Sequence, residues 1–285
     1  MKTNILRRTV LKVAAGLVMA ALPVMASAET VEERGNGEGL RVAYYNFAPF
    51  GYVNADGDVV GEQVEILRHV LGEMGLKVQS ETATEWGNLI PGLKADRFDI
   101  VAAAMFVTPK RCGEVAFSEP TFGIQNTIIV PEGNPDGLGS SYESIAASGR
   151  TLAAIAGTAQ VDWAKSVGVE DANIMQVPDN PTGLAAVRAG RAAAFTIDAP
   201  GARIAVNSDG GEGFEMLEPF AEVGGKPASP HGAYAFRPDE AEFVKKFNET
   251  LTAFIGTPEH IAIMEAHGLQ KSELPARSTA DLCEG

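Results

Sequence analysis

Three aromatic residues, Phe50, Trp86 and Phe106, stand at the ends of expected elements or in the turns beside them, where side chains reach a cleft more readily than a core. Gathered around one point they would form a cage for a ring-delocalised or quaternary cation, each face worth roughly 0.5 to 2 kcal/mol once desolvated. On spacing alone, ordinary core packing accounts for them as well. Arg111 follows Thr108-Pro109-Lys110, a turn able to project a guanidinium whose planar fork suits a carboxylate; a surface ion pair is the other reading. Gly157-Thr158-Ala159 opens a helix directly after a strand, so free main-chain N–H groups and the Thr158 hydroxyl offer either an anion site or a plain N-cap. Asp198 ends a strand before Ala199-Pro200, where ligands of open α/β sheets gather. It either neutralises a ligand cation or caps the following helix.

Catalytic constellations are missing from the sequence. It has no GxSxG elbow, no HExxH and no GxxxxGK[ST] phosphate loop, so hydrolase and nucleotide-binding readings lose their usual support. His260 and His267 are seven apart, too far for the i, i+4 pairing that binds zinc, and a solvated helix face is expected for both, as for His69. The two cysteines, Cys112 and Cys283, lack CxxC spacing and a neighbouring His, which argues against metal. They are expected to form one disulfide stapling the C-terminal tail to the first lobe. No cofactor or catalytic residue is expected.

The elements that must position these residues alternate. Leu40-Arg41-Val42-Ala43-Tyr44 reads as a strand, and Asp56-Gly57-Asp58 as a hairpin turn returning through Val59-Val60. Val64, Leu67, Val70, Leu71 and Met74 recur at helical spacing up to Gly75. Leu89, Leu93 and Phe98 suggest a second short helix, followed by a buried strand from Phe98 to Ala103. The pattern repeats with strands at 151–155, 174–177 and 193–197 and helices opening at Thr158 and Asn180. This is α/β architecture in two lobes, each a central sheet flanked by helices, with crossing strands expected at 125–130 and 232–236. Two helices, over 239–255 and 258–267, close the chain.

Lys2, Arg7, Arg8 and Lys12 precede an apolar run, Val13 to Val24, and then Ala26-Ser27-Ala28, which reads as a signal peptide spanning residues 1–28. The Arg7-Arg8 pair leaves both the Sec and the twin-arginine routes open. A periplasmic protein is expected, with an acidic, Gly-containing flexible leader at 29–39. Residues 40–127 and 234–285 are assigned to lobe 1 and residues 128–233 to lobe 2. Without the four basic side chains of residues 1–28, 19 basic residues face 37 acidic ones, a net charge near -18. Such a surface repels nucleic acid and anionic headgroups.

Taken together, the runs Trp86-Gly-Asn-Leu-Ile-Pro-Gly-Leu93, Phe98-Asp99-Ile100, Thr108-Pro-Lys-Arg-Cys112 and Val115-Ala-Phe-Ser-Glu-Pro120 resemble type II periplasmic solute-binding proteins of polar amino-acid ABC importers. Arg-Cys in the third run, Ala48-Pro-Phe50, Gly133-Asn-Pro-Asp-Gly-Leu138 before Ser141-Tyr142, Val177-Pro-Asp179 and Leu282-Cys283 are similar to the ectoine/hydroxyectoine-binding branch. The resemblance implies a non-enzymatic, monomeric subunit that captures a small zwitterion by hinge closure and serves an ABC permease and ATPase. It implies an aromatic box of Phe50, Trp86 and Phe106, a carboxylate clamp at Arg111, and closure by Gly157 and Thr158. Two positions depart from the branch. Phe47 stands where an ectoine binder can carry an acid, and Asp198 matches the aspartate that holds an α-ammonium in amino-acid binders. A polar amino acid or a betaine is therefore the second reading. A dehydratase-type enzyme on the same fold is a third, with no acid/base pair to support it.

Overall fold

Seven consecutive buried residues, Ile100–Phe106, form the spine of the first sheet. A strand covered on both faces tolerates no polar alternation, which is why this segment reads as a continuous apolar run. It lies between Leu40–Tyr44, to which it is parallel, and His231–Phe236, to which it is antiparallel. Val78–Ala83 forms one edge, and Ala116–Phe117 and Phe122–Gly123 pair on the far side of His231–Phe236. The second sheet runs Ile174–Val177, Leu152–Ile155, Ala194–Asp198, Asn126–Pro131 and Phe214–Met216, with the first three parallel and the last two joined antiparallel. This computed structural model describes residues 29–228 and 230–284. The signal-peptide reading of residues 1–28 lies outside the described residues. Among the described residues no helix is long and apolar enough to cross a membrane.

Both lobes are sheets flanked by helices, as expected. Helix Glu62–Glu73 buries Val64, Ile66, Leu67, Val70 and Leu71, and with Ala241–Phe254 it covers the first sheet through Phe243, Phe247 and Leu251. Each such side chain contributes roughly 1.5–3 kcal/mol on burial. The chain passes between lobes just before Asn126 and again just before His231, so the strands expected to cross are laddered into a sheet from their first residues. The two passages lie side by side, with Ile124 N–H donating to the Pro230 carbonyl over 2.8 Å.

Three local expectations are corrected. The leader is folded: Thr30 and Glu33 form a capping box on helix Val31–Asn36, Val31 is fully buried, and Arg34 bonds the buried carboxylate of Asp99. Its four glutamates suggested disorder because their partners, Lys246 and Arg34 among them, are distant or come from the segment itself. The second short helix ends at Lys94, and Phe98 lies beyond it with its ring against Gly92. The two C-terminal histidines are not solvated. His260 is fully buried, accepts from Gly256 N–H at 3.1 Å, and burial lowers its pKa to about 4. His267 contacts Glu65 at 2.7 Å. His69 is partly covered, stacked on Phe254 at 3.7 Å between ring centroids.

Cys112 and Cys283 are joined across a sequence separation of 171, with Cα atoms 5.8 Å apart. The bond ties the tail helix Thr279–Glu284 to Pro109–Cys112, the turn that carries Arg111. Chain entropy sets the stabilisation from so long a loop at about 5 kcal/mol as an upper figure. Replacing both cysteines by serine should remove about 2 to 5 kcal/mol, read as a lowered urea midpoint at constant slope. An unchanged midpoint would mean that tail packing alone holds this corner.

Candidate functional site

A small cavity of about 40 Å³ lies between the two sheets, and most of the residues singled out in the sequence meet there. Lobe 1 supplies Phe47, Phe50, Trp86 and Phe106, together with Tyr45. Phe50 is held from behind by Phe122, stacked at 4.9 Å, and Phe106 lies parallel to Trp163 of the opposite lobe at 6.2 Å. Tyr45 packs edge-on against Trp86 at 5.7 Å and donates its hydroxyl hydrogen to the Pro178 carbonyl across the cleft. Phe47 crosses to the other lobe as well. A Cβ at Gly201 would lie 2.4 Å from its ring, so glycine is required there for the close approach.

The spine strand also bends to serve the cavity. Its pairing with His231–Phe236 shifts register between Ala233 and Ala235, and Ala104 takes φ 53° in the irregular stretch. Such an interruption of the alternation turns both Ala103 and Ala104 toward the cavity. A left-handed conformation at a residue with a Cβ is costly and recurs at ligand sites.

Lobe 2 supplies three helix starts. Thr158 occupies the N-cap position of Ala159–Ser166, but its hydroxyl donates to the Ile155 carbonyl at 2.7 Å and does not cap the helix. The first-turn N–H groups therefore have no side-chain cap, and Thr158, Ala159 and Gln160 line the cavity. That disposition suits an anion. Asp198 caps Ala199–Asn207, with Oδ1 accepting from Gly201 N–H at 2.8 Å, and also lines the cavity. Burial pushes its pKa up to about 7, opposed by the Gly201 N–H and by Arg203. Asn180, at the start of Asn180–Arg188, lines the cavity and carries a buried Oδ1 with no hydrogen-bond partner among the described residues.

Arg111 and Gly157 border the cavity without lining it. The buried Arg111 guanidinium donates from Nη1 to the Phe106 carbonyl at 2.9 Å and from Nη2 to the Gly157 carbonyl at 3.1 Å, with Cζ 5.5 Å from the centre of the Trp86 ring. Desolvation lowers its pKa to about 10, which leaves it charged at neutral pH. The surface ion-pair reading is thereby removed. The Gly157 carbonyl also accepts from Trp86 Nε1 at 3.1 Å.

Sequence reasoning missed Tyr45, Gln160, Asn180, Thr196 and the two alanines of the spine strand. Tyr45 and Asn180 were within reach, since one directly follows a strand and the other opens a helix after one, at the carboxyl ends of the sheets. Thr196 and the alanines carry no such signal, because inward and outward positions of a buried strand look alike in sequence.

Residues 40–269 match the bacterial extracellular solute-binding proteins, family 3. The chain is 33% identical over 279 residues to a probable amino-acid ABC transporter periplasmic-binding protein of Sinorhizobium fredii, covering 95% of this chain and 91% of that one. A probable amino-acid ABC transporter-binding protein of Haemophilus influenzae is 29% identical, over 76% and 80% of the two chains. Among solved structures, EhuB in complex with hydroxyectoine superimposes with a TM-score of 0.80 at 28% identity, covering 89% of this chain and 97% of that one. The two-lobed α/β fold, the cavity between its sheets and the match over 40–269 agree: this chain belongs to family 3 of the bacterial extracellular solute-binding proteins.

Proposed function

We propose that this protein is the extracytoplasmic ligand-capturing subunit of an ABC importer, taking ectoine, hydroxyectoine or a similar compact zwitterion by closure of its two lobes. The observation that carries this reading is an inter-lobe cavity lined by two unlike sets of groups. One set is the aromatic faces and the Asp198 carboxyl; the other is the uncapped start of Ala159–Ser166, with Arg111 at the cavity border. A delocalised cation suits the first and a carboxylate the second. An incoming carboxylate would compete with the Gly157 carbonyl for Arg111 Nη2. Contacts from both lobes then favour the closed form, which is the form a membrane permease would recognise.

The likeness to a hydroxyectoine-bound structure supports the ectoine reading, as does the small volume of the cavity. A polar amino acid is the second reading. It is favoured by Asp198 in the cavity wall, by Phe47 where an ectoine binder can carry an acid, and by relatives named as amino-acid transporter proteins.

A thermal-shift screen of the mature protein against ectoine, hydroxyectoine, proline betaine, glycine betaine and the amino acids separates these readings. A ligand at a hundred times its Kd adds about 2.7 kcal/mol of stability. Stabilisation by ectoines is the expected result; stabilisation by an amino acid alone transfers the ligand to the second reading. No stabilisation by any zwitterion would refute the assignment.

Arg111→Ala should weaken the ligand found in that screen by roughly 2 to 4 kcal/mol in calorimetry. Near-normal affinity would remove the clamp. Asp198 gives a pH signature. Its folded pKa of about 7 lies above the ordinary 3.8, so its contribution to ligand-free stability is complete below pH 4 and lost as pH rises through 7. A ligand cation reverses the preference by holding the carboxylate ionised. Binding should then release a proton and tighten as pH rises toward 7, by at most about tenfold per unit. Asp198→Asn, which keeps an acceptor for Gly201, should abolish that slope. A slope unaltered in this variant would place the titrating group elsewhere.

A further inference from the structure

Resting on the zwitterion reading, we propose that Asn180 makes the site select cations that carry N–H donors and reject fully N-methylated ones. Among the described residues, the Oδ1 of Asn180 is buried in the cavity wall without a hydrogen-bond partner. Buried side-chain acceptors are nearly always paired, so an orphan aimed at a ligand cavity marks where the ligand supplies the missing hydrogen.

Asn180 is held at this spot by its neighbours. Asp179 caps the helix by accepting from Thr182 N–H at 2.8 Å, and Pro181, with no N–H of its own, fixes the first turn. The other polar groups of that wall are committed to different extents. Thr196 shares its hydroxyl with Tyr142 at 2.7 Å, and Thr158 is turned back to Ile155. Asp198 uses one oxygen on Gly201 and brings a second acceptor to the same cavity. Two acceptors in the lining of one cavity call for two hydrogens on the cation, as an amidinium, a primary ammonium or a ring ammonium can provide. A trimethylammonium or dimethylated ring nitrogen satisfies the aromatic faces equally well but brings no N–H. It would leave both acceptors buried and unpaired. A site built to meet a polar hydrogen rejects an analogue lacking it far more strongly than an apolar pocket rejects one methyl group.

The test is calorimetry on the full mature protein with ectoine, L-proline, L-arginine, proline betaine and glycine betaine. At least one N–H-bearing compound should bind at least about tenfold more tightly than either betaine. Asn180→Ala should weaken that compound by about ten- to a hundredfold while leaving betaine affinity unchanged or improved. Asn180→Asp, an acceptor that cannot donate when ionised, should keep the preference, and both variants should melt cooperatively. Binding of a betaine as tight as that of the N–H compounds, or an Asn180→Ala effect below twofold, overturns the proposal while leaving the zwitterion reading intact. If neither these five compounds nor any zwitterion of the wider screen binds, the zwitterion reading fails and this inference fails with it; binding of another N–H-bearing amino acid with neither betaine bound meets the expected result.

Discussion

The carbonyl oxygen of Gly157 is the point at which the two lobes are tied together across the cavity. It accepts hydrogen bonds from the Trp86 indole and from the Arg111 guanidinium, both from the opposite lobe, each at 3.1 Å. Gly157 has φ 77°, a conformation that glycine adopts without the steric penalty a Cβ brings, and it is this backbone turn that starts the Ala159–Ser166 helix beside the cavity. One acceptor thus joins an aromatic wall, a cation and a helix N-terminus. Hydrogen bonds that involve a charged donor are shorter and stronger than neutral ones, and burial of Arg111 strengthens this one further.

Around that point the contacts between lobes differ in kind. Lys110 and Asp162 pair at 3.0 Å on the exposed rim, where screening leaves little net energy. Arg203 and Glu273 pair at 3.0 Å nearer the hinge and are better shielded from water, and Tyr45 reaches the Pro178 carbonyl at 3.0 Å. Phe47 packed on Gly201 and Phe106 alongside Trp163 add apolar contact. Most of these are made side chain to main chain or ring to ring, so they form only when the lobes come together in one register. Charge alone would tolerate many.

Two buried acids show how surroundings assign different tasks to one chemistry. Asp198 sits at a helix start, its burial offset by the Gly201 N–H, and opens onto the cavity. Glu62 also starts a helix and is also raised to about 7 by burial, but it is enclosed inside lobe 1, where it accepts from the Gln63 amide at 2.8 Å. The first is the acid that the proposed ligand cation would meet. The second is part of a polar cluster with Gln63 and Thr121 that fixes the start of the Glu62–Glu73 helix against the first sheet.

The sequence by itself determined what depends on local pattern. Helical spacing at Val64, Leu67, Val70 and Leu71, the apolar run of the spine strand, and Thr or Asp before helix starts are short-range signals, and they delivered the two-lobed α/β architecture and most of the cavity's aromatic wall. Tertiary structure alone decided what depends on residues far apart in the chain. The leader folds because Val31 and Arg34 find Glu240 and Asp99, and His260 and His267 are covered because other segments pack over them. Which alanines of a buried strand face the cavity follows from a register shift against a strand some 130 residues on. Asn180 became a candidate ligand residue only because its amide oxygen has no partner among the described residues, and such an absence depends on the fold around it.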